Sequence, residues 1–136
     1  MLKVDSVYLP NKPLTNFDLE SAARKLKIPN FRGTFSRDSL HEKPRRKESG
    51  ILNLDNRLGG GSHWVAWYKN NKQKCYFDSF GLHPPMELVK YLGPGVEYNT
   101  ERVQRPDTVI CGHLCLYWLK ELSRGKDPQK VINTLF

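Results

Sequence analysis

Three cysteines in 136 residues, Cys75, Cys111 and Cys115, are too few and odd in number for a disulfide framework. The sequence therefore points to a reducing environment. No apolar run approaches the roughly 20 residues a membrane-spanning helix needs. The first residues, Met1-Leu2-Lys3-Val4-Asp5, contain no apolar stretch of the kind an export signal carries, so secretion is not expected. Internal repeats, low-complexity tracts, paired zinc-finger spacings and ribonucleoprotein aromatic motifs are all missing, which removes solenoids and sequence-specific DNA readers. Acidic residues are also scarce, 14 against 22 basic, giving a net charge of +8.

What is present fits one folded domain spanning residues 1–136. Hydrophobic residues make up 38% of the chain, enough for a core of its own. The basic excess is uneven: residues 1–80 carry 15 basic and 8 acidic side chains, residues 81–136 carry 7 and 6. The densest blocks are Lys43, Arg45, Arg46 and Lys47, and Lys69, Lys72 and Lys74. Such blocks attract polyanions, so non-specific DNA binding is set against a merely solvated basic face.

Thr15 and Asp18 form a capping-box pattern, with Leu14 and Leu19 placed as a hydrophobic staple. Helical spacing of Leu19, Ala22, Ala23 and Leu26 predicts a helix over 16–27. Residues 33–49 read as a basic surface loop with a short strand at its start, and 51–54 as a short strand. The aromatic-rich segments 63–69 and 72–80 read as two strands of a hairpin turning at Asn70-Asn71. Pro84-Pro85 opens a helix ending at Gly93, and 96–104 reads as a strand. Cys111–Ser123 predicts a helix stopped by Gly125, and Asp127-Pro128 caps a last one.

With the turn at Asn70-Asn71, paired residue numbers sum to 141, which places His63 opposite Asp78. A carboxylate there fixes an imidazole's tautomer and raises its basicity; a purely structural pair is the alternative. Cys111, at the start of a long helix, sits where the helix terminus stabilises a thiolate. Gly112 removes side-chain bulk beside it, whereas Cys115 reads as core. A zinc site of Cys75, Cys111, His113 and Cys115 lacks the usual ligand spacing, so no metal is expected. Gln104, seven residues before Cys111, carries amide N–H groups suited to an oxyanion hole.

Taken together, Ser62-His63-Trp64, Tyr76-Phe77-Asp78-Ser79-Phe80-Gly81, Gln104 and Cys111-Gly112 resemble the adenovirus-type maturation protease (adenain) family. The shorter relatives in adenovirus-related viruses and virus-like DNA transposons are the nearer likeness. Phe31 to Asp38 is similar to that family's Gly-Thr segment, so the resemblance spans roughly residues 14–123. It implies an α+β cysteine protease fold. A mainly antiparallel or mixed sheet would pack against a helix that starts at the catalytic cysteine.

It also implies His63 as general base, Asp78 as its orienter, Cys111 as nucleophile and Gln104 as oxyanion donor. Trp64, Gly61 and Gly112 would border the substrate. The substrates implied are viral or transposon capsid and core precursors, cut at glycine-containing sites. The virion, the host nucleus or another reducing compartment would be the setting, and a monomer the expected form. No cofactor is implied for the chemistry itself; a polyanion such as DNA, or a peptide, remains an option as activator. The chain is shorter than the adenovirus enzyme. It also has no cysteine between Tyr91 and Gln104 that could hold a peptide by disulfide. A ubiquitin-like-protein (SUMO-type) protease of the same clan and an inactive capsid or DNA-binding module are the alternatives.

Overall fold

A computed structural model describes residues 2–54, 63–105 and 108–135. The elements run β1 (Leu2–Val4), β2 (Val7–Leu9), α1 (Asn16–Lys25), β3 (Phe31–Ser36), β4 (Lys47–Asn53) and β5 (Trp64–Asn70). They continue with β6 (Gln73–Phe77), α2 (Met86–Leu92), β7 (Glu97–Tyr98), α3 (Cys111–Ser123) and α4 (Pro128–Asn133). Strands β3 to β7 lie side by side in chain order in one sheet, with β1 and β2 a separate two-stranded ribbon. The central pairs β4–β5 and β5–β6 are antiparallel, while β3–β4 and β6–β7 are parallel, so the sheet is mixed.

Strand alternation sorts the core into two layers. Ile51, Ala66, Cys75 and Phe77 face α1, α3 and α4 in one buried cluster. Leu52, Val65, Trp67 and Tyr76 face α2 in the other. Because β5 is covered on both sides, Trp64-Val65-Ala66-Trp67 reads as a continuous apolar run. Helix α3 lies across the first face, where Trp118 stacks on Phe77 with ring centroids 5.4 Å apart.

The predicted helices form close to their expected bounds. Thr15 and Asp18 close the capping box, and Leu14 and Leu19 are both buried beside it. Helix α1 gives way at Leu26, just before Lys27 adopts a φ of 56°. The strands depart more. β3 starts at Phe31, and the expected loop 33–49 contains the first half of β4, whose Glu48, Ser49 and Gly50 are buried. Their burial depends on partners from other strands, which local polarity does not reveal. The strand expected over 96–104 shrinks to Glu97–Tyr98, because Asn99 turns its side chain onto the main chain of Asp78.

The hairpin register also differs. The turn is Asn71-Lys72, and pairs such as Trp67–Tyr76 and Asn70–Gln73 sum to 143. Asn71 takes the left-handed conformation (φ 57°), and its N–H bonds the Arg46 carbonyl at 2.7 Å. Asn70 thereby stays in the strand, paired with both Lys47 and Gln73. A shift of two leaves every side chain on its original face.

Candidate active site

His63 directly precedes β5 and Asp78 directly follows β6, so the two strands deliver them to the same end of the sheet. The register points His63 at Phe80 rather than Asp78, and the rings of His63 and Phe80 stack at 4.4 Å, 11° from parallel. The imidazole edge still reaches the diagonal neighbour: His63 Nε2 lies 2.6 Å from Asp78 Oδ1. Asp78 is fully buried, and its Oδ1 also accepts the Phe80 N–H at 2.8 Å. Asn99 clasps the Asp78 main chain from both sides: Oδ1 accepts its N–H and Nδ2 donates to its carbonyl.

Nδ1 of His63 is left for Cys111, which opens α3. That helix start has no side-chain cap and no acidic residue in its first turn. Its free N–H groups therefore favour a negative charge there. The Trp64 N–H also points at the Cys111 sulfur, 3.5 Å away. Burial on its own would raise the Cys111 pKa. The hydrogen bond and charge of His63 and the N–H groups of Trp64 and Gly112 outweigh it and hold the thiol below its usual range. For His63, burial lowers the pKa, but the hydrogen bonds and charges of Asp78 and Cys111 prevail and raise it to about 9. Both shifts favour a thiolate–imidazolium pair, a nucleophile next to a proton donor. Cys75 and Cys115 differ: burial pushes Cys75 up to about 12 and Cys115 well above its usual range.

Pro13, His63, Trp64, Phe80, Gln104, Thr108, Val109 and Cys111 line a cleft of about 350 Å³. It contains all of the expected catalytic residues except Asp78, which lies behind His63. Gln104 is buried; its Oε1 accepts from the Ser79 hydroxyl at 2.5 Å, and its Nε2 donates to the Thr108 carbonyl at 3.0 Å. Trp64 anchors the cleft wall by donating its indole N–H to the Leu14 carbonyl at 2.9 Å.

Gly112 does not border the cleft. A Cβ on it would come within 3.1 Å of Leu19 and 3.4 Å of Leu14 and Trp64, so its role is to let α3 sit close against α1 and β5. Gly61 and Ser62 lie outside the described residues. His113 is buried away from the cysteines, its Nε2 donating to the Pro10 carbonyl at 2.8 Å. Among the described residues no group of three His, Cys, Asp or Glu side chains could hold a metal ion.

Sequence reasoning missed Ser79, Phe80 and Asn99 as supports and Pro13 as a wall. The correct register would have found Phe80. Nothing in the sequence marks Asn99 or Pro13.

The basic blocks lie at the opposite end of β5, about 20 Å away at ~3.3 Å per residue. Pairing of β4 with β5 joins them, with Lys47 beside Asn70 and Glu48 beside Lys69. Lys43, Arg45, Arg46, Lys47 and Lys72 are exposed. Lys69 and Lys74 donate to main-chain carbonyls, of Arg45 and Arg46 and of Pro94 respectively.

No family model matches the chain. It is 30% identical to a protease of Porcine adenovirus A serotype 3 over an alignment of 145 positions, covering 88% of this chain and 69% of that one. It is also 30% identical to a protease of Bovine adenovirus 2 over 124 positions, covering 75% and 60%. Its fold is similar to the crystal structure of an ASFV protease, with a TM-score of 0.64 at 20% identity over 92% of this chain and 63% of that one. The chain thus spans only about two thirds of the length of these relatives. No described helix is long and apolar enough to cross a membrane. By identity and coverage against the porcine virus enzyme, the chain belongs to the adenovirus protease family.

Proposed function

We propose that the chain is a cysteine endopeptidase with Cys111 as nucleophile, His63 as general acid and base, and Asp78 as the orienter of His63. The observation that carries this is one cleft that holds both reacting groups: His63, bonded to Asp78 at 2.6 Å, faces it together with Cys111 at a helix start. The Cys111 thiolate attacks a peptide carbonyl, and a tetrahedral oxyanion forms. His63 gives its Nδ1 proton to the leaving amine, and the C–N bond breaks to leave a thioester. His63, now neutral, takes a proton from water, which displaces Cys111 and restores the pair. Gln104 and the α3 N-terminus supply the N–H groups for the oxyanion.

The substrates we propose are capsid and core precursors of a virus or virus-like element, cut at sites rich in small residues. The exposed basic end would hold DNA without sequence preference through Lys43, Arg45, Arg46, Lys47 and Lys72, with Lys69 and Lys74 adding charge. The decisive experiment incubates the protein with the precursors encoded beside it and sequences the products, alongside Cys111→Ala. Iodoacetamide at neutral pH should modify Cys111 ahead of Cys75 and Cys115 and stop cleavage. Full activity in Cys111→Ala would overturn the assignment.

A further inference from the structure

We propose that Ser79 is a positioning residue for the Gln104 amide, holding in place, before the reacting carbonyl, the orientation that the Thr108 carbonyl selects. The proposal rests on the peptidase reading above. A glutamine side chain has two orientations that exchange its oxygen and nitrogen, and only one places N–H groups where an oxyanion forms. The Thr108 carbonyl can only accept, so the group 3.0 Å from it must be Nε2. The other end is then Oε1, and Ser79 Oγ, 2.5 Å away, must donate to it. These two bonds agree on a single orientation, and they use one of the two Nε2 hydrogens. The second is free of any bond among the described residues, on a side chain that lines the same cleft as Cys111.

Ser79 is suited to this task because it is itself held at its main chain and buried. It is fully buried, and its carbonyl accepts the N–H groups of Val103 at 2.9 Å and Gln104 at 3.1 Å. Gln104 is therefore held by Ser79 at both its main chain and its amide. The turn that holds Ser79 is closed by the Gly81 N–H on the Asp78 carbonyl at 2.8 Å. Gly81 has a φ of 72°, and a Cβ there would lie 2.6 Å from the Thr100 carbonyl oxygen. Asp78 and Phe80, on either side of Ser79, both touch His63. One four-residue turn thus aims the base and the oxyanion donor together. Removing the hydroxyl would strand a buried amide oxygen and leave the amide held by the Thr108 carbonyl alone.

The test uses the full chain and the variants Ser79→Ala, Ser79→Cys and Gln104→Ala, with melting curves as the folding control. Ser79→Ala should lower kcat by roughly 10–100-fold, part of the ~10²–10³ that loss of a whole donor costs, with KM changed less than about twofold. Ser79→Cys, a near isostere with a weaker donor, should fall between, and it carries the test if the alanine variant does not fold. In the Gln104→Ala background, Ser79→Ala should cost nothing further. Independently of turnover, hydrogen exchange of the Gln104 side-chain amide by NMR should speed up in Ser79→Ala. Additive losses in the double variant, or amide exchange unchanged by Ser79→Ala, would overturn the proposal. A wild-type protein that neither cleaves the precursors nor reacts preferentially at Cys111 would instead overturn the peptidase reading, while the amide measurement still judges whether Ser79 orients Gln104.

Discussion

Two buried carboxylates, Glu48 in β4 and Asp78 just past the end of β6, are partnered in opposite ways. Glu48 is saturated. Its Oε1 accepts from Arg32 Nη1 at 3.1 Å and the Arg45 N–H at 2.6 Å, and its Oε2 from Trp67 Nε1 at 2.9 Å and Tyr91 OH at 2.7 Å. Burial would raise its pKa, but these four donors outweigh burial and lower it. Asp78 is as deeply buried, yet among the described residues only its Oδ1 is engaged and its Oδ2 has no hydrogen-bond partner. A saturated carboxylate spends its charge on holding β3, β4, β5 and α2 together. An undersaturated one keeps its charge directed at the single imidazole that needs it.

The largest effect should come from Asp78→Asn. The amide keeps the shape but favours the wrong imidazole tautomer, so kcat should fall by ~10⁴ while the melting temperature stays close to wild type. Steady-state kinetics beside calorimetry check this, and a large loss of stability with little loss of kcat would make Asp78 another Glu48. Next, Glu48→Ala should leave an unpaired Arg32 and stranded Trp67 and Tyr91 donors. Removing one partner of such a buried pair typically costs ~3–5 kcal/mol. Urea unfolding should register it, with turnover at low temperature nearly unchanged.

The pH profile separates the two carboxylates more finely. His63 is held protonated up to about 9, so activity should fall as pH rises through that value, along with the stability His63 contributes. Asp78→Asn should move this alkaline limb to lower pH, because the charge that raised the imidazole is gone. Glu48→Ala should leave it in place. The smallest effect belongs to Arg45→Ala. Glu48 is served by the Arg45 main-chain N–H, which any residue supplies, so stability should change by less than about 0.5 kcal/mol in urea unfolding.

The carboxylates also show what the sequence discloses. Asp78 could be read because it follows an aromatic-rich strand and meets a histidine in a hairpin whose parity survived a wrong turn. Glu48 could not: it lies among Arg45, Arg46, Lys47 and Ser49, a run that reads as solvated loop. Only Trp67 and Tyr91, 19 and 43 residues away, make it core. Helix α3 was legible end to end because apolar spacing and Gly125 are local signals. The joining of the two basic blocks was not, since it follows from β4–β5 pairing. Strands β1 and β2 were overlooked although Leu2-Lys3-Val4 and Val7-Tyr8-Leu9 alternate, because three residues are too short to stand out from chance.

The strap from Pro10 to Leu14 is fastened by His113 and by Trp64, across sequence separations of 103 and 50 residues. Pro13, between those anchors, is one wall of the cleft. Loops that long close only once much of the chain is already in place. During synthesis, then, the strap emerges early but has nothing to grip until α3 has left the ribosome. A nascent chain has its first wall unanchored and Cys111 not yet made, so the cleft is completed in one step with helix α3.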